Sequence, residues 1–171
     1  VTVQFTTDQE VVPYADGWRG SSFTSWGPTP SLEFKPNIAG IGGSVYSTVN
    51  NDQYGVKSGT SMAAPNVSGV SALLVQEFRD RYPNLSGNEL ADRLEIALQN
   101  TADIPMTADG VPLSPRQIGA GLARADLALK HEVFATVDGA AEVPLYEVNG
   151  RTNFTVTLEN FGDEAVTYTV P

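Results

Sequence analysis

One serine, Ser61, has the neighbours that a nucleophilic hydroxyl requires. It stands in the run GTSMAAP (59–65), directly before apolar residues that recur at helical spacing. A serine hydroxyl is a weak nucleophile, so it needs an exposed position, an adjacent base and backbone donors for the oxyanion that forms on the attacked carbonyl. The first turn of a helix supplies such a donor, because its N–H groups have no partner within the helix. The positive helix terminus also favours the developing negative charge.

The residues around Ser61 are interpreted as parts of the same site. Gly59 permits a tight turn into the helix, and we expect Ser58, Gly59 and Thr60 to form, with Ser61, the oxyanion and substrate-binding part. Pro65 is expected in the same opening turn, where its missing N–H costs no hydrogen bond. The alternative is that Thr60 or Ser61 is an ordinary N-cap, since both residue types are common at that position.

Three helices are predicted behind this serine. The first is a largely buried helix from about residue 62 to residue 82, predicted from apolar residues at helical spacing: Val67, Val70, Leu74 and Phe78. Ser86 with Glu89 has the pattern of a capping box, and it opens an amphipathic helix at about residues 87–99. A short helix, at about residues 122–130, is predicted after the glycines of GAG.

Strands are predicted at both ends of the chain. Alternating apolar and polar residues in 1–14 indicate a half-exposed strand and a polar connection. Residues 17–43 are rich in Gly, Pro and Ser and predict loops. Beyond Glu132, short alternating runs near residues 143–146, 154–158 and 166–170 predict an all-β module.

Composition excludes several classes of function. The chain has 171 residues, 41% of them apolar, which allows a folded core. Its net charge of −10 and scattered basic residues give no surface for nucleic acid or an anionic membrane. It has no cysteine, which removes disulfides and thiolate chemistry. No run of apolar residues reaches the roughly 18 that a membrane span needs.

The remaining candidate residues carry simpler interpretations. Asp103 and Asp109 lie in an irregular loop without the spacing of a calcium site, so solvated acids are expected and neither a metal nor another cofactor is predicted. His131 is the only histidine and is interpreted as a surface or helix-end residue, not as the base for Ser61.

Four segments resemble the subtilases, a family of serine proteases. GTSMAAP followed by NVSGVSALL resembles the active-site serine signature. FTSWGP (23–28), KPNIAGIG (35–42) and SPRQ with GAG (114–121) resemble other segments of the large, lactocepin-like members. The match covers about residues 17–131. Asn37, Gly40, Ile41 and Asn66 differ from the residues that many members have at those places.

The resemblance implies an α/β catalytic domain with a parallel sheet, of which this chain is the C-terminal part. It implies a serine endopeptidase acting on peptide or protein substrates, with the triad Asp and His and an oxyanion Asn supplied by upstream sequence. Residues 1–16 are then the tail of an inserted, protease-associated-like domain or a linker. Residues 132–171 begin a fibronectin-III-like β domain.

Two further expectations follow from the missing upstream part, and a third follows from composition. The fragment alone is expected to be inactive. It is also expected to remain associated with the upstream part, or to pair with a copy of itself, because a sheet cut through its middle exposes edges. We expect a secreted or wall-associated bacterial protein, since the chain is acidic and lacks cysteine. The alternative is a catalytically inactive subtilase-like module with a binding or structural role at the surface.

Overall fold

A computed structural model describes Gly17 and residues 19–169 of the chain. The strand predicted within 1–14 lies outside the described residues. The elements follow in the order β1 (Val45–Val49), β2 (Gln53–Lys57), α1 (Thr60–Arg81), α2 (Gly87–Asn100), α3 (Pro115–Ile118), α4 (Ala125–Ala128), β3 (Val133–Thr136) and β4 (Thr157–Asn160). No helix among the described residues is long and apolar enough to cross a membrane.

The two long helices predicted from apolar spacing are confirmed. α1 ends at Arg81, one residue before Tyr82, whose N–H donates to the carbonyl of Phe78 at 2.8 Å, and Pro83 cannot continue the helix. α2 begins with the predicted capping box. The Ser86 N–H donates to the Glu89 carboxylate at 2.8 Å, and the Glu89 N–H donates to the Ser86 hydroxyl at 3.3 Å. These hydrogen bonds lower the pKa of Glu89.

The core lies where the C-terminal half of α1 meets α2, α4 and β3. Its buried residues are Leu74, Phe78, Leu90, Leu94, Ala97, Leu98, Ala128 and Phe134. The expectation that α1 is largely buried is wrong for the described chain, because only Leu74 and Phe78 of this helix are buried. The first half of α1 consists mainly of small residues and contacts loops, so it buries little side-chain area.

The strands form two separate antiparallel pairs. β1 pairs with β2 so that Val45 lies opposite Lys57, and β3 pairs with β4 so that Val133 lies opposite Asn160. Among the described residues, the expected parallel sheet is reduced to one bridge, between Ala39 and Leu122. Glycines on both sides of that bridge interrupt the extended segments, since glycine weakens a strand interior.

The C-terminal part differs from the sequence prediction in two ways. The helix predicted at 122–130 is the four-residue α4, because Leu122 is held extended by two hydrogen bonds with Asp103, at 2.7 and 2.9 Å. Of the three predicted β runs, only the second overlaps a strand of the described structure, β4, which extends two residues beyond that run. Most described apolar side chains of these runs are exposed, since no second layer among the described residues packs on them; they include Leu145, Tyr146, Phe154, Val156, Val166 and Tyr168.

Candidate active site

Ser61 is the second residue of α1, and its side chain is exposed. The residue at the N-cap position is Gly59, which has no side chain to cap the helix. Neither Thr60 nor Ser61 is therefore the N-cap, so the capping alternative does not account for these two hydroxyls. Ser58 and Thr60 are exposed like Ser61, and the four predicted site residues lie together at the start of the helix.

The backbone at this terminus leaves a donor free. The first hydrogen bonds of α1 run from the Met62 and Ala63 N–H groups to the Gly59 carbonyl, at 3.0 and 3.3 Å. Within the described part of the chain, no carbonyl accepts from the Ser61 N–H. This amide lies at the positive end of a 22-residue helix, which carries the equivalent of roughly half an elementary charge. An anionic oxygen beside Ser61 would accept a hydrogen bond from this N–H and would be stabilised by the positive potential of the helix terminus.

Gly59 has a backbone conformation that its residue type makes possible. Its φ of 156° and ψ of 164° lie in a region that residues with a Cβ rarely adopt. Its N–H donates to the carbonyl of Gly42 at 2.8 Å, which fixes the turn against the loop at residues 40–42. The glycine therefore sets the direction from which the chain enters α1 and presents Ser61.

The loop at residues 40–42 packs its backbone directly on the first turns of α1. A Cβ added at Gly40 would lie 2.7 Å from Val67 Cγ2 and 2.8 Å from the Ala63 carbonyl oxygen. A Cβ added at Gly42 would lie 2.7 Å from the Gly59 carbonyl oxygen. Such distances are far below van der Waals contact, so both positions need glycine. Gly40, which differs from the family pattern in sequence, thus has a clear packing role.

Two polar contacts that sequence reasoning missed complete this support. The Asn66 side chain accepts from the Ile41 N–H at 3.2 Å and joins the loop to α1. The Ser58 hydroxyl accepts from the Ser44 N–H at 2.8 Å and ties the two ends of the β1–β2 hairpin together. Neither contact is visible in a local pattern, because its partners are 25 and 14 residues apart. Ser58 thus holds the hairpin in addition to its predicted place beside the substrate.

The expectation for Pro65 is wrong. α1 begins at Thr60, so Pro65 is its sixth residue and lies inside the helix instead of in the turn whose N–H groups are free. A residue with an N–H at this position would donate to the carbonyl of Ser61, four residues earlier. Proline cannot, so the Ser61 carbonyl lacks its usual partner within the helix.

Comparison with known proteins decides the family. A model of the subtilase family matches residues 7–121. The chain belongs to the subtilase family. It is 34% identical over 166 residues to the C5a peptidase of Streptococcus pyogenes. The matched region covers 95% of this chain and 14% of that protein. It is 42% identical over 111 residues to the PII-type proteinase of Lactococcus lactis subsp. cremoris, covering 60% of this chain and 6% of that one.

A solved structure is also similar to this subtilase chain. It is that of the CspB protease of Clostridium perfringens, with 31% identity and a TM-score of 0.45, covering 56% of this chain and 20% of that one. The chain thus spans a small part of the length of each relative. The resemblance noted from the sequence motifs is confirmed, and the described residues show the mixed helix and strand content of part of a subtilase domain.

The subtilase segments identified in the sequence contact one another in the fold. The Gly27 N–H donates to the Arg116 carbonyl at 2.8 Å, and Arg116 Nε donates back to the Gly27 carbonyl at 2.8 Å. The Ala120 N–H donates to the Asn37 carbonyl at 3.0 Å. With the bond between Gly59 and Gly42 already described, these contacts connect all four segments. The segments distant from Ser61 therefore support the loop that positions it.

His131 lies at the opposite end of α1 from Ser61. The Arg81 side chain, on the last residue of the helix, donates to the His131 carbonyl at 3.1 Å. Arg81 follows Ser61 by 20 residues, so at about 1.5 Å per residue the two ends lie about 30 Å apart. The structure thus does not bring His131 to Ser61. Of the two interpretations of this histidine, the helix-end position is confirmed, because the His131 N–H donates to the carbonyl of Ala128, the last residue of α4, at 3.2 Å. The ring is half-buried and packs edge-on against Phe134, with 4.8 Å between centroids.

Of the two acidic loop residues considered for metal binding, Asp103 is ion-paired and Asp109 is exposed in a turn. The Asp103 carboxylate forms an ion pair with Arg124, which also binds the Asp126 carboxylate at 2.8 Å. The hydrogen bond from Arg124 lowers the pKa of Asp126. Asp109 is exposed and lies in a turn. In residues 19–169, no group of three or more His, Asp or Glu side chains is arranged to hold a metal ion.

Proposed function

We propose that this subtilase chain carries the nucleophile of a serine endopeptidase. The observation that supports the proposal best is the exposed Ser61 hydroxyl at the start of a 22-residue helix, beside a backbone N–H for which the described residues offer no acceptor. Ser61 Oγ attacks the scissile carbonyl, and the Ser61 N–H donates to the oxyanion of the tetrahedral intermediate. Gly59, Thr60 and Ser58 form the rest of this wall of the site, along which an extended substrate pairs through its backbone.

The proton balance of the reaction requires a base and further groups that the described residues do not place near Ser61. A histidine base takes the proton of Ser61 Oγ during attack and gives it to the departing amine, which leaves an acyl-enzyme. A water molecule then loses a proton to the same base and hydrolyses the ester. We propose that this histidine, the aspartate that orients it and an asparagine that is the second oxyanion donor belong to upstream sequence of the same polypeptide. The reaction uses no metal and no other cofactor.

The same proposal assigns roles to the remaining parts of the chain. Residues 17–131 form the C-terminal part of the catalytic domain. Residues 1–16 belong to an inserted, protease-associated-like domain or a linker, and residues 132–171 begin a fibronectin-III-like domain. The parent protein is secreted or attached to the wall of a bacterium. Its partners are peptide or protein substrates. The chain either remains associated with the upstream part of the polypeptide or pairs with a copy of itself.

One observation favours a second candidate function, a catalytically inactive binding or structural module. Among the described residues, no histidine or carboxylate side chain is hydrogen-bonded to Ser61, and the only histidine lies about 30 Å away along α1. If the parent protein also lacks a histidine and an aspartate in subtilase context, Ser61 has no base and the endopeptidase proposal fails.

Labelling with a fluorophosphonate separates the two candidates. In the full-length polypeptide, the probe is expected to label Ser61, and Ser61→Ala abolishes the labelling. Ser68→Ala is the matched control, since Ser68 is also exposed on α1 and is expected to leave labelling unchanged. Absence of label from the unmodified protein would establish the inactive module. The 171-residue chain alone is expected to remain unlabelled and to leave casein intact, because its only histidine lies about 30 Å from the serine.

A further inference from the structure

Asn66, on α1, is attached to the loop that lies against the start of the helix. Its Oδ1 accepts from the Ile41 N–H at 3.2 Å. In the part of the chain that the structure describes, this is the only side-chain hydrogen bond between the loop at residues 40–42 and α1. Asn66 is also one of the residues that differ from the subtilase pattern, so the family motif does not account for this contact.

The loop buries little side-chain area against the helix. Gly40 and Gly42 have no side chain, and the Ile41 side chain between them is 55% exposed. Burial of apolar area therefore contributes little to holding the loop on α1. The other attachment is the hydrogen bond from the Gly59 N–H to the Gly42 carbonyl, at 2.8 Å. Across this contact between loop and helix start, the position of the loop depends on two hydrogen bonds, one to Asn66 and one from Gly59.

The Asn66 hydrogen bond acts on the same side of α1 as the close backbone packing. Asn66 and Val67 follow Ala63 by three and four positions, so both are its neighbours on the helix surface. A Cβ at Gly40 would meet Val67 Cγ2 at 2.7 Å and the Ala63 carbonyl oxygen at 2.8 Å, so the loop has no room to move closer. The hydrogen bond from Ile41 to Asn66 resists movement in the other direction. Together they fix the separation of loop and helix.

The loop in turn contacts the residue that directs the chain into α1. Gly59 is at the N-cap position, two residues before Ser61, and its N–H donates to Gly42. A shift of the Gly42 carbonyl would therefore move the turn that presents the hydroxyl and the backbone N–H of Ser61. Asn66 lies five residues after Ser61, about 7.5 Å farther along the helix axis. Its effect on Ser61 is transmitted by the loop.

We propose that Asn66 is a positioning residue for Ser61, acting through the loop at residues 40–42. This inference rests on the endopeptidase function proposed above. Without the Asn66 acceptor, the Ile41 N–H turns to water and the loop moves away from α1. The hydrogen bond between Gly59 and Gly42 is then weakened, and Ser61 loses its alignment with the scissile carbonyl. The loss falls on the chemical step, because substrate binding does not use the Asn66 amide.

The test separates kcat from KM in variants of the full-length polypeptide. For Asn66→Ala, kcat is expected to fall about tenfold while KM changes less than about twofold. The rate of fluorophosphonate labelling at Ser61 should fall by a similar factor. Asn66→Asp keeps an oxygen that accepts from the Ile41 N–H and is expected to retain kcat within about threefold. Gln76→Ala is the matched control, since it removes an exposed amide farther along α1 and should leave kcat unchanged.

A double variant tests whether Asn66 acts through the loop. Gly42→Ala disturbs the other attachment of the loop and is expected to lower kcat/KM about 100-fold. Because both changes displace the same loop, Asn66→Ala combined with Gly42→Ala should also lose about 100-fold, well short of the roughly 1,000-fold expected for independent sites. Multiplication of the two losses would overturn the inference. So would normal kcat in Asn66→Ala, or an equal loss in Asn66→Asp.

Amide hydrogen exchange gives a check that does not depend on activity. In the full-length polypeptide, exchange of the Ile41 and Gly59 amides is expected to accelerate together in Asn66→Ala, because both hydrogen bonds of the loop are weakened. Acceleration at Ile41 alone would mean that the contact is local, which overturns the inference. Failure of the proposed function is distinct, because it appears as absence of fluorophosphonate label at Ser61 in the unmodified protein.

Discussion

The two ends of α1 are held by different kinds of contact. At the N-terminal end, Ser61 is exposed, and backbone packing from glycine loops and a few polar contacts fix its position. At the C-terminal end, Phe78 is fully buried within the core. The first end is positioned at little cost in buried area, and the second supplies the stability of the helix. One element can thus hold a reactive side chain in solvent because its other end is anchored.

The anchored end is built around aromatic rings. The ring of Phe78 meets those of Tyr82 and Phe134 edge-on, with centroids 5.5 and 6.3 Å apart. The Arg93 guanidinium, from α2, lies over Tyr82, Phe134 and Phe161 at 4.7, 5.0 and 3.9 Å from the ring centroids. Phe134 lies in β3 and Phe161 directly follows β4, so this aromatic cluster joins the helices to the C-terminal strands.

The largest effect on activity is expected at the exposed end. In the full-length polypeptide, Ser61→Ala should lower kcat by at least about 10⁴-fold, because the nucleophile is lost. The free energy of unfolding should change by less than about 0.5 kcal/mol, since an exposed hydroxyl is removed. Peptide hydrolysis and urea denaturation measure the two quantities. A large loss of stability in this variant would contradict the separation of the two ends.

The largest effect on stability is expected at the buried end. Phe78→Ala leaves a cavity in the core and should destabilise the protein by about 3–5 kcal/mol. Leu73→Ala is the matched control, since Leu73 lies on the same helix but is 52% exposed, and less than about 1 kcal/mol is expected. Urea denaturation of both variants tests the difference. Equal losses would mean that Leu73 is also covered in the full-length protein.

A glycine of the supporting loop should affect activity more than stability. At Gly42, an alanine Cβ would lie 2.7 Å from the Gly59 carbonyl oxygen and 3.0 Å from Ala63 Cβ, so the loop and the start of α1 must move apart. A displacement of about 1 Å at a catalytic group can cost about 100-fold in rate. We expect that loss in kcat/KM for Gly42→Ala. The control Gly69→Ala meets no atom within 4 Å and should preserve activity and stabilise the helix by up to about 1 kcal/mol.

The cation of the aromatic cluster is expected to contribute a smaller amount. Arg93→Met keeps much of the apolar stem but removes the charge that lies over three rings, and a loss of about 1–2 kcal/mol in unfolding free energy is expected. Arg79→Met is the control, since Arg79 is an exposed residue in the last turn of α1. Thermal denaturation of the two variants side by side measures the difference. If Arg79→Met lowers the unfolding free energy as much as Arg93→Met does, the loss comes from removing any positive charge and not from the contact of Arg93 with the aromatic rings.

The two ends of α1 also differ in what the sequence could predict. The helix and its end follow from Leu74 and Phe78 at helical spacing and from Pro83, and all of these are local signals. The contacts of Gly40 and Asn66 with the start of the helix depend on residues far apart along the chain, and no local pattern reveals them. Ser61 itself was found from its motif, whereas the contacts that position it required the structure.

The C-terminal strands were the least predictable region. Alternating residues predict strands near 143–146, 154–158 and 166–170, but alternation gives neither pairing partner nor register. In the structure β4 pairs with β3, which precedes all three runs. The helix predicted at 122–130 is short for a similar reason, because the pairing of Leu122 with Asp103, distant in sequence, outweighs local helix propensity.

The smallest expected effect is a pH dependence at the anchored end. His131 packs against Phe134, its Nε2 is buried without a hydrogen-bond partner among the described residues, and burial lowers its pKa from the usual 6.5. The unfolded chain therefore binds a proton to this residue more readily than the folded chain does. The contribution of neutral His131 to the free energy of unfolding is therefore fully present above about pH 6.5. It is lost as the pH falls towards the lower pKa that this histidine has in the folded state.

His131→Leu should remove this dependence, because leucine has no charged form in the unfolded chain. Urea denaturation of the full-length polypeptide at intervals between pH 7.5 and pH 5 is expected to show a steeper loss for the unmodified protein than for the variant. His131→Gln, which also has no titrating group but keeps a polar side chain, should flatten the profile in the same way. Parallel profiles for all three proteins would show that His131 titrates alike in the folded and unfolded states, and that this end of α1 is open to water in the full-length protein.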